Sequence, residues 1–155
     1  MSDVHSPSVR SANMRAIKHR GTSLELGVRK ALFSRGLRYR VNVRDLPARP
    51  DIVFPKYKAI IFINGCFWHG HNCDLFKIPK TRTEFWLNKI SGTIGRDQDS
   101  HQKLMGLGWR VGVIWECALK GRGKLPFNEC IDLLEEWILD RRAPGIELAG
   151  EVPID

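Results

Sequence analysis

The sequence predicts an α/β protein, a three-layer sandwich with a central mixed β-sheet. Helical periodicity occurs at both ends and in the middle of the chain, and four short segments between have the apolar patterns of strands. Helices before, between and after strands are expected to pack on both faces of one sheet. At 155 residues the chain has the size of a single domain.

The N-terminal part is expected to begin with a flexible arm and two helices. Residues 1–10 form the arm, and residues 11–20 form a short basic helix that belongs to the main domain. Thr22 and Glu25 have the spacing of a capping box and begin a second helix, which Gly36 closes.

The remaining elements alternate between strands and helices. The predicted strands are RYRVNV (38–43), DIVF (51–54), KAIIFIN (58–64) and WRVGVIW (109–115). The predicted helices are TRTEFWLNKI (81–90), a longer polar helix running to about Leu107, and the amphipathic NECIDLLEEWIL (128–139). The domain is expected to span residues 11–140, with a C-terminal tail over 141–155.

The second and third predicted strands are joined by PKYK, a length that indicates a hairpin. Pairing outward from Phe54 opposite Ala59 places Asp51 opposite Phe62 and next to Ile63. The Asp51 carboxylate is therefore expected close to the backbone carbonyl of Ile63.

The charge balance favours a polyanionic partner. Lys and Arg total 25 against 17 Asp and Glu, giving a net charge of +8 and a sequence pI of about 9.6. A protein that is basic without binding nucleic acid is the alternative. No apolar run reaches the ~18 residues of a membrane span, and the polar start is not a secretory signal, so we expect a cytoplasmic protein.

Three soft metal ligands lie close together. Cys66, His71 and Cys73 form C-x4-H-x-C, and Cys117 follows the last predicted strand, where a neighbouring strand could bring it to the same loop. The pattern predicts a closed structural zinc site, with free thiols as the alternative. Cys130 lies on the apolar side of the last helix and is expected in the core.

His69 is left over from that ligand set and is a candidate for chemistry. Asp51, the Ile63 carbonyl and His69 are expected to converge, a combination suited to metal-dependent phosphodiester hydrolysis. Glu25 and Asp97 are candidates to complete the site. Each has an ordinary alternative: Asp51 as a strand-start residue, Glu25 as a cap, Asp97 on a solvated helix face, and His69 as a structural hydrogen-bonding group.

Aromatic residues flank the ligands. Phe67 and Trp68 share the loop, Trp86 follows in the next helix, and Arg82 is one of several basic residues beside them. Exposed aromatics beside cations suit stacking on nucleic-acid bases, whereas a local mini-core is the alternative.

The N-terminal basic helix carries a second candidate DNA contact. Met14 is either an apolar wedge or a packing residue, and Arg15 and Lys18 are candidate phosphate contacts.

Together, these segments resemble the very short patch repair (Vsr) DNA mismatch endonucleases, from about residue 8 to residue 140. The matching segments are RSxNMRAI (10–17), LPARPDIVF (46–54), GCFWHxHxC (65–73), LFKxPxTRTEFWLxKI (75–90), RD (96–97) and LGWRVxVIWECALxGR (107–122). The resemblance implies a restriction-endonuclease-like fold and a Mg²⁺-dependent nick 5′ of the thymine in T·G mismatches left by 5-methylcytosine deamination. The implied partner is double-stranded DNA containing that mismatch, bound by a monomer, with repair-system proteins as further partners.

The resemblance also implies residue roles. Cys66, His71, Cys73 and Cys117 would hold Zn²⁺, Asp51 and the carbonyl of Ile63 would bind Mg²⁺, and His69 would act as general base. Phe67, Trp68 and Trp86 would enter the DNA from the major groove, and Met14 from the minor groove.

The chain departs from the family at two positions, Ile63 and Asn64, where relatives commonly carry Thr and His. A backbone carbonyl can bind a metal whatever its side chain is, so Ile63 should not change the proposed Mg²⁺ ligand. Asn64 removes a possible second imidazole, so His69 is the main candidate for the catalytic histidine. The second carboxylate and the lysine of related nucleases are also missing after Asp51. A non-catalytic zinc-stabilised DNA-binding module and a restriction-type nuclease acting on unmismatched duplex are the alternatives.

Overall fold

The computed structural model describes residues 23–71, 73 and 77–151. The elements in chain order are α1 (Ser23–Ser34), β1 (Ile52–Phe54), β2 (Ala59–Asn64), α2 (Thr83–Gly106), β3 (Arg110–Trp115), α3 (Glu116–Leu119), α4 (Phe127–Leu139) and β4 (Ile146–Leu148). The expected N-terminal arm and basic helix, with Met14, Arg15 and Lys18, lie outside the described residues.

A mixed sheet organises the domain, in the order β1-β2-β3-β4. β1 pairs antiparallel with β2, whereas β2–β3 and β3–β4 are parallel. The β2–β3 register runs from Ala59↔Arg110 to Asn64↔Trp115. Parallel neighbours end at the same edge of a sheet, so the segments after Asn64 and Trp115 start side by side.

One face of the sheet packs on α1 and α4. Strand residues such as Phe54, Ile61 and Ile114 are fully buried there against Leu32 of α1 and Leu134 of α4. Successive side chains of a strand point to opposite faces, so the strand residues between these buried ones face the other side of the sheet.

The second face packs on α2. Its buried strand residues are Val53, Ile60, Phe62, Val111 and Val113. Leu104 of α2 is fully buried in the same cluster. Trp109 and Trp115 pack against the same cluster, as the alternation of the β3 sequence predicts. Helices therefore cover both faces, and the predicted α/β architecture with a mixed sheet is confirmed.

The predicted hairpin register is confirmed. Phe54 pairs with Ala59 and Ile52 with Ile61, and Asp51 directly precedes the paired segment. The connection is a single 3-10 turn over Pro55–Tyr57, completed by Lys58 with a φ of 52°.

The strand predicted over 38–43 is wrong. Only Arg40 forms an isolated bridge, to Val53. Asn42 has a φ of 56°, in the left-handed region, which interrupts the extended backbone that a strand requires.

The predicted helices near 81–107 form one uninterrupted helix, α2, and α4 buries its apolar face including Cys130 as expected. The segment expected to be a tail contributes β4, which pairs with β3 from Gly112↔Ile146 to Ile114↔Leu148. No helix in the described part of the chain is long and apolar enough to cross a membrane.

Candidate active site and metal centre

The loop after β2 folds back tightly on itself. The His71 amide donates to the Cys66 carbonyl at 2.9 Å, and the His69 amide to the Gly65 carbonyl at 3.2 Å. Gly70, between the two histidines, has a φ of 63°, and a Cβ there would lie 2.7 Å from Ile90 of α2. A glycine therefore lets this loop lie directly against α2.

The four predicted ligands form one cluster. The ligand atoms of Cys66, His71, Cys73 and Cys117 all lie within 4.8 Å of one another. His71 Nδ1 is 3.6 Å from Cys66 Sγ and 3.5 Å from Cys117 Sγ. Zinc–ligand bonds of about 2.0 and 2.3 Å at a tetrahedral angle imply an N···S separation of roughly 3.5 Å. The cluster therefore has the donor set and the dimensions of a closed Cys₃His zinc site.

Groups around the cluster hold the ligands in place. The Cys66 amide donates to Glu116 Oε1 at 3.2 Å, and the Gly150 amide donates to Cys117 Sγ at 3.2 Å. The His71 ring stacks on Trp115, with 4.2 Å between ring centroids. Such contacts orient first-sphere ligands.

Burial raises the pKa of the Cys66 and Cys117 thiols above their ordinary value. Two buried thiolates this close also repel each other. A divalent cation offsets both costs and keeps the sulfurs deprotonated, so the chemistry of the cluster favours metal occupancy.

Asp51 is 7% exposed and lies directly before β1. Its Oδ2 accepts a hydrogen bond from the Ile63 amide at 2.7 Å. Asp51 therefore contacts the Ile63 backbone through its amide, and the expected proximity to the Ile63 carbonyl stays a prediction. Carboxylate and carbonyl oxygens are the donors that Mg²⁺ prefers.

His69 contacts a carboxylate and is not part of the Cys₃His cluster, called the metal cluster below. Its Nδ1 lies 2.5 Å from Asp97 Oδ2, and the two side chains are 21% and 28% exposed. An ionised carboxylate can only accept, so Nδ1 carries the proton and Nε2 is left as the basic nitrogen. The sequence placed both residues among the catalytic candidates without pairing them.

His69 and Asp97 open into a cavity of about 350 Å³ between α2 and the ends of β2 and β3. The lining residues are Asn64, His69, Gly70, His71, Ile94, Asp97, Gln98, His101, Val113, Trp115 and Glu147. Asp51 and Glu25 are outside this lining. Successive strand residues point to opposite faces of a sheet, and Val53, two positions after Asp51, faces α2 while Ile52 faces the other layer. By the same alternation, Asp51 is expected on the α2 side of the sheet.

Glu25 is 2% exposed on α1 and pairs with Arg29 one turn later. The helix α1 packs on the sheet through Val28 and Leu32, and Glu25 is not among the residues that line the cavity. Its suggested capping partner Thr22 lies outside the described residues. A catalytic role for Glu25 stays a prediction.

Sequence reasoning missed several lining residues, among them His101, Trp115 and Glu147. His101 follows Asp97 by four positions, a helical spacing that could have indicated a shared face. Trp115 donates from Nε1 to Glu147 at 2.9 Å, and Glu147 lies on β4 in the segment expected to be a tail. No local pattern marks Glu147.

The loop aromatics and α2 form one aromatic cluster. Ring centroids are 5.2 Å apart for Phe67–Trp68, 5.5 Å for Phe67–Trp86 and 6.2 Å for Trp68–Trp86. All three residues are only partly buried. The cluster combines both predicted possibilities, since the rings pack on each other and remain partly exposed.

Cations surround the aromatic cluster. Lys89 Nζ lies 5.6 Å from the Trp68 ring centroid and 5.8 Å from that of Trp86. Arg82 is exposed and lies over Phe85, with 4.3 Å from its guanidinium carbon to the ring centroid. The surface beside the metal cluster is therefore aromatic and positively charged, as a base-stacking and phosphate-binding surface would be.

Comparison with known proteins shows the family of this chain. The family model for DNA mismatch endonuclease Vsr matches residues 2–75. DNA mismatch endonuclease Vsr of Escherichia coli (strain K12) is 51% identical over 138 residues, covering 89% of this chain and 88% of the relative. The chain belongs to the Vsr family.

Two type II nicking enzymes are also similar over most of their length. Type II nicking enzyme V.XorIIP of Xanthomonas oryzae pv. oryzae is 42% identical, covering 81% of this chain and 92% of the relative. Type II nicking enzyme V.NmeAIP of Neisseria meningitidis is 45% identical, covering 79% and 87%. The Vsr family membership makes this protein a DNA endonuclease, a hydrolase of the phosphodiester backbone.

Proposed function

We propose that this endonuclease nicks one strand of double-stranded DNA on the 5′ side of the thymine in a T·G mismatch, in a Mg²⁺-dependent reaction. One observation carries the proposal. In a single loop, His69 contacts the Asp97 carboxylate, and Phe67 and Trp68 belong to the partly exposed aromatic cluster. Cys66, His71 and Cys73 of the same segment belong to the Cys₃His cluster. A hydrolytic group and a base-stacking surface are thereby tied to the same rigid segment.

Asp51 and the backbone carbonyl of Ile63 would hold the magnesium ion. Asp51 is buried and fixed by the Ile63 amide, which presents a negative oxygen in a defined position beside that backbone. A bound Mg²⁺ would supply positive charge that offsets the negative charge building up on the scissile phosphate.

His69 would act as the general base. Its Nε2 would accept a proton from the attacking water, and Asp97 would stabilise the resulting imidazolium through Nδ1. Asp97 also holds the ring orientation and tautomer, so both residues contribute to the same proton transfer.

Phe67, Trp68 and Trp86 would insert beside the mismatch. Unstacking a base step costs a few kcal/mol and costs least where pairing is already imperfect. Stacking on an aromatic ring returns about 1–3 kcal/mol per base. This balance favours a T·G mismatch over a paired site.

Zn²⁺ in the Cys66, His71, Cys73 and Cys117 cluster would serve the fold, because four protein ligands leave no position for substrate. The mixed sheet with helices on both faces is compatible with the restriction-endonuclease-like fold. We also propose a cytoplasmic monomer that acts with other proteins of a repair system. Met14, Arg15 and Lys18 are proposed as further DNA contacts.

The test is a nicking assay on otherwise identical duplexes containing T·G, T·A or C·G at one position, with Mg²⁺ or with EDTA. We expect a single-strand break 5′ of the mismatched thymine in Mg²⁺ and none in EDTA. Binding to T·G duplex without nicking would favour the non-catalytic module, and equal nicking of T·A duplex would favour a restriction-type nuclease.

A further inference from the structure

The cavity beside His69 contains an imidazole that the proposed roles do not use. His101 follows Asp97 by one helical turn on α2, and both side chains line the same cavity as His69. The His101 ring lies against Phe62, with 4.9 Å between ring centroids, and Phe62 directly follows Ile61, which pairs with Ile52, the residue after Asp51. His101 is therefore placed among the candidate catalytic groups by both the helix and the sheet.

The other imidazoles and the indole of the cavity already have partners. His69 contacts Asp97, His71 belongs to the metal cluster, and Trp115 donates to Glu147. In the part of the chain that the structure describes, no hydrogen bond engages either ring nitrogen of His101. Its ring nitrogens are available to a ligand that enters the cavity.

We propose that His101 is a second active-site imidazole, whose N–H donates a hydrogen bond to a non-bridging oxygen of the scissile phosphodiester. This role rests on the nicking activity proposed above. The phosphate must reach His69 for hydrolysis, and His101 lines the same cavity.

Protonation and charge around His101 suit this task. Burial lowers the pKa of the His101 imidazole, so near neutral pH it carries one N–H donor and one acceptor nitrogen. The nearby carboxylates, Asp97 and Glu147, would repel a phosphate, but each is engaged by a donor, His69 and Trp115 respectively. Asn64 in the same cavity offers an amide in addition to the imidazoles.

Simple packing against Phe62 is the competing explanation for His101. His101→Phe distinguishes packing from hydrogen-bond donation, because phenylalanine keeps a flat aromatic ring against Phe62 but has no N–H. His101→Gln does the reverse, since it retains an N–H donor without the ring. Gln102→Ala changes an exposed neighbour outside the cavity lining and is the matched control.

The experiment measures single-turnover nicking rates at saturating enzyme, with duplex affinity and melting temperature for every variant. We expect His101→Phe to slow nicking by about 10–100-fold with affinity nearly unchanged, because a lost donor to developing negative charge acts mainly on the rate. His101→Gln should recover most of the loss, and Gln102→Ala should match the wild type.

Two results would overturn the role of His101. One is a His101→Phe rate within twofold of wild type, and the other is an equal loss in His101→Phe and His101→Gln. Rates are compared on whichever duplex the wild type nicks fastest. A preference for unmismatched DNA would then overturn the proposed specificity alone, whereas wild-type protein that nicks no duplex would overturn both proposals.

Discussion

His69 and His71 stand two positions apart and have different partners. The tighter spacing of His71 to Cys73 favours His71 as the ligand, and the structure places His71 in the metal cluster and His69 on Asp97. Gly70 between them takes a positive φ, which reverses the local direction of the backbone. One residue thus separates a candidate zinc ligand from a candidate catalytic imidazole.

Replacing Asp51 with Asn should abolish detectable nicking while leaving T·G duplex affinity within a few-fold of wild type. The amide oxygen can still accept from the Ile63 N–H, so the local fold is kept while the negative charge needed for Mg²⁺ is lost. Nicking and binding assays on the same preparations check this. The control is Asp45→Asn, an exposed carboxylate in the preceding loop; robust nicking by Asp51→Asn would contradict the metal role.

His69→Ala should lower the nicking rate by about 10²–10⁴-fold, the range typical of a lost general base. Asp97→Asn should also lower it by about 10²–10⁴-fold, because the new amide can donate to Nδ1 and so favours the tautomer in which Nε2 is protonated and cannot act as a base. Because the two act as a unit, the double variant should be no slower than His69→Ala alone. Additive losses in single-turnover rates would show that the pair does not work together.

The helix α2 places several groups of the site on one stripe. Trp86, Ile90, Asp97 and Leu104 recur close to the 3.6-residue period, so they face the loop and the sheet together. Trp86 and Asp97 are eleven positions apart, a rise of roughly 16 Å along the axis. One helix therefore carries part of the aromatic cluster and the carboxylate that contacts the candidate base.

Cys73→Ser should reduce bound zinc from one per chain to well below that and lower the melting temperature, because a structural zinc contributes folding free energy. Metal content and thermal melting measure this. Cys130→Ala is the matched control, since Cys130 is buried in the core and is not one of the four cluster residues. It should keep its zinc even if it loses some stability; full zinc occupancy in Cys73→Ser would remove Cys73 from the ligand set.

Trp68→Ala should reduce the preference for T·G over T·A duplex by about tenfold, which corresponds to the ~1–3 kcal/mol of one base–aromatic stack. The ratio of affinities for the two duplexes is the measurement. Phe127→Ala removes an exposed aromatic on α4, which packs on the other face of the sheet, and should leave the ratio unchanged. An unaltered ratio in Trp68→Ala would contradict insertion beside the mismatch.

The charge of the whole molecule, +8, predicts strongly salt-dependent DNA binding. Each phosphate that is neutralised releases counterions, so log affinity should fall linearly with log salt. Arg82→Ala should reduce the slope by about one, whereas Lys30→Ala, on α1, should not change it. Titrations from low to physiological salt test this, and a flat response would count against phosphate contacts.

The sequence by itself determined the features that depend on neighbours within a few residues. The C-x4-H-x-C spacing, the β1–β2 register and the periodicity of α2, β3 and α4 all follow from local geometry. The strand predicted over 38–43 is wrong because the left-handed backbone conformation of Asn42 is not evident from the alternation of its neighbours.

The tertiary structure alone decided which distant residues meet. His69 and Asp97 are 28 positions apart, and Trp115 and Glu147 are 32 apart. Such contacts depend on how helices cross the sheet, and no short pattern encodes that packing angle. His101 belongs to the site for the same reason: the packing of α2 against Phe62 brings it to the cavity.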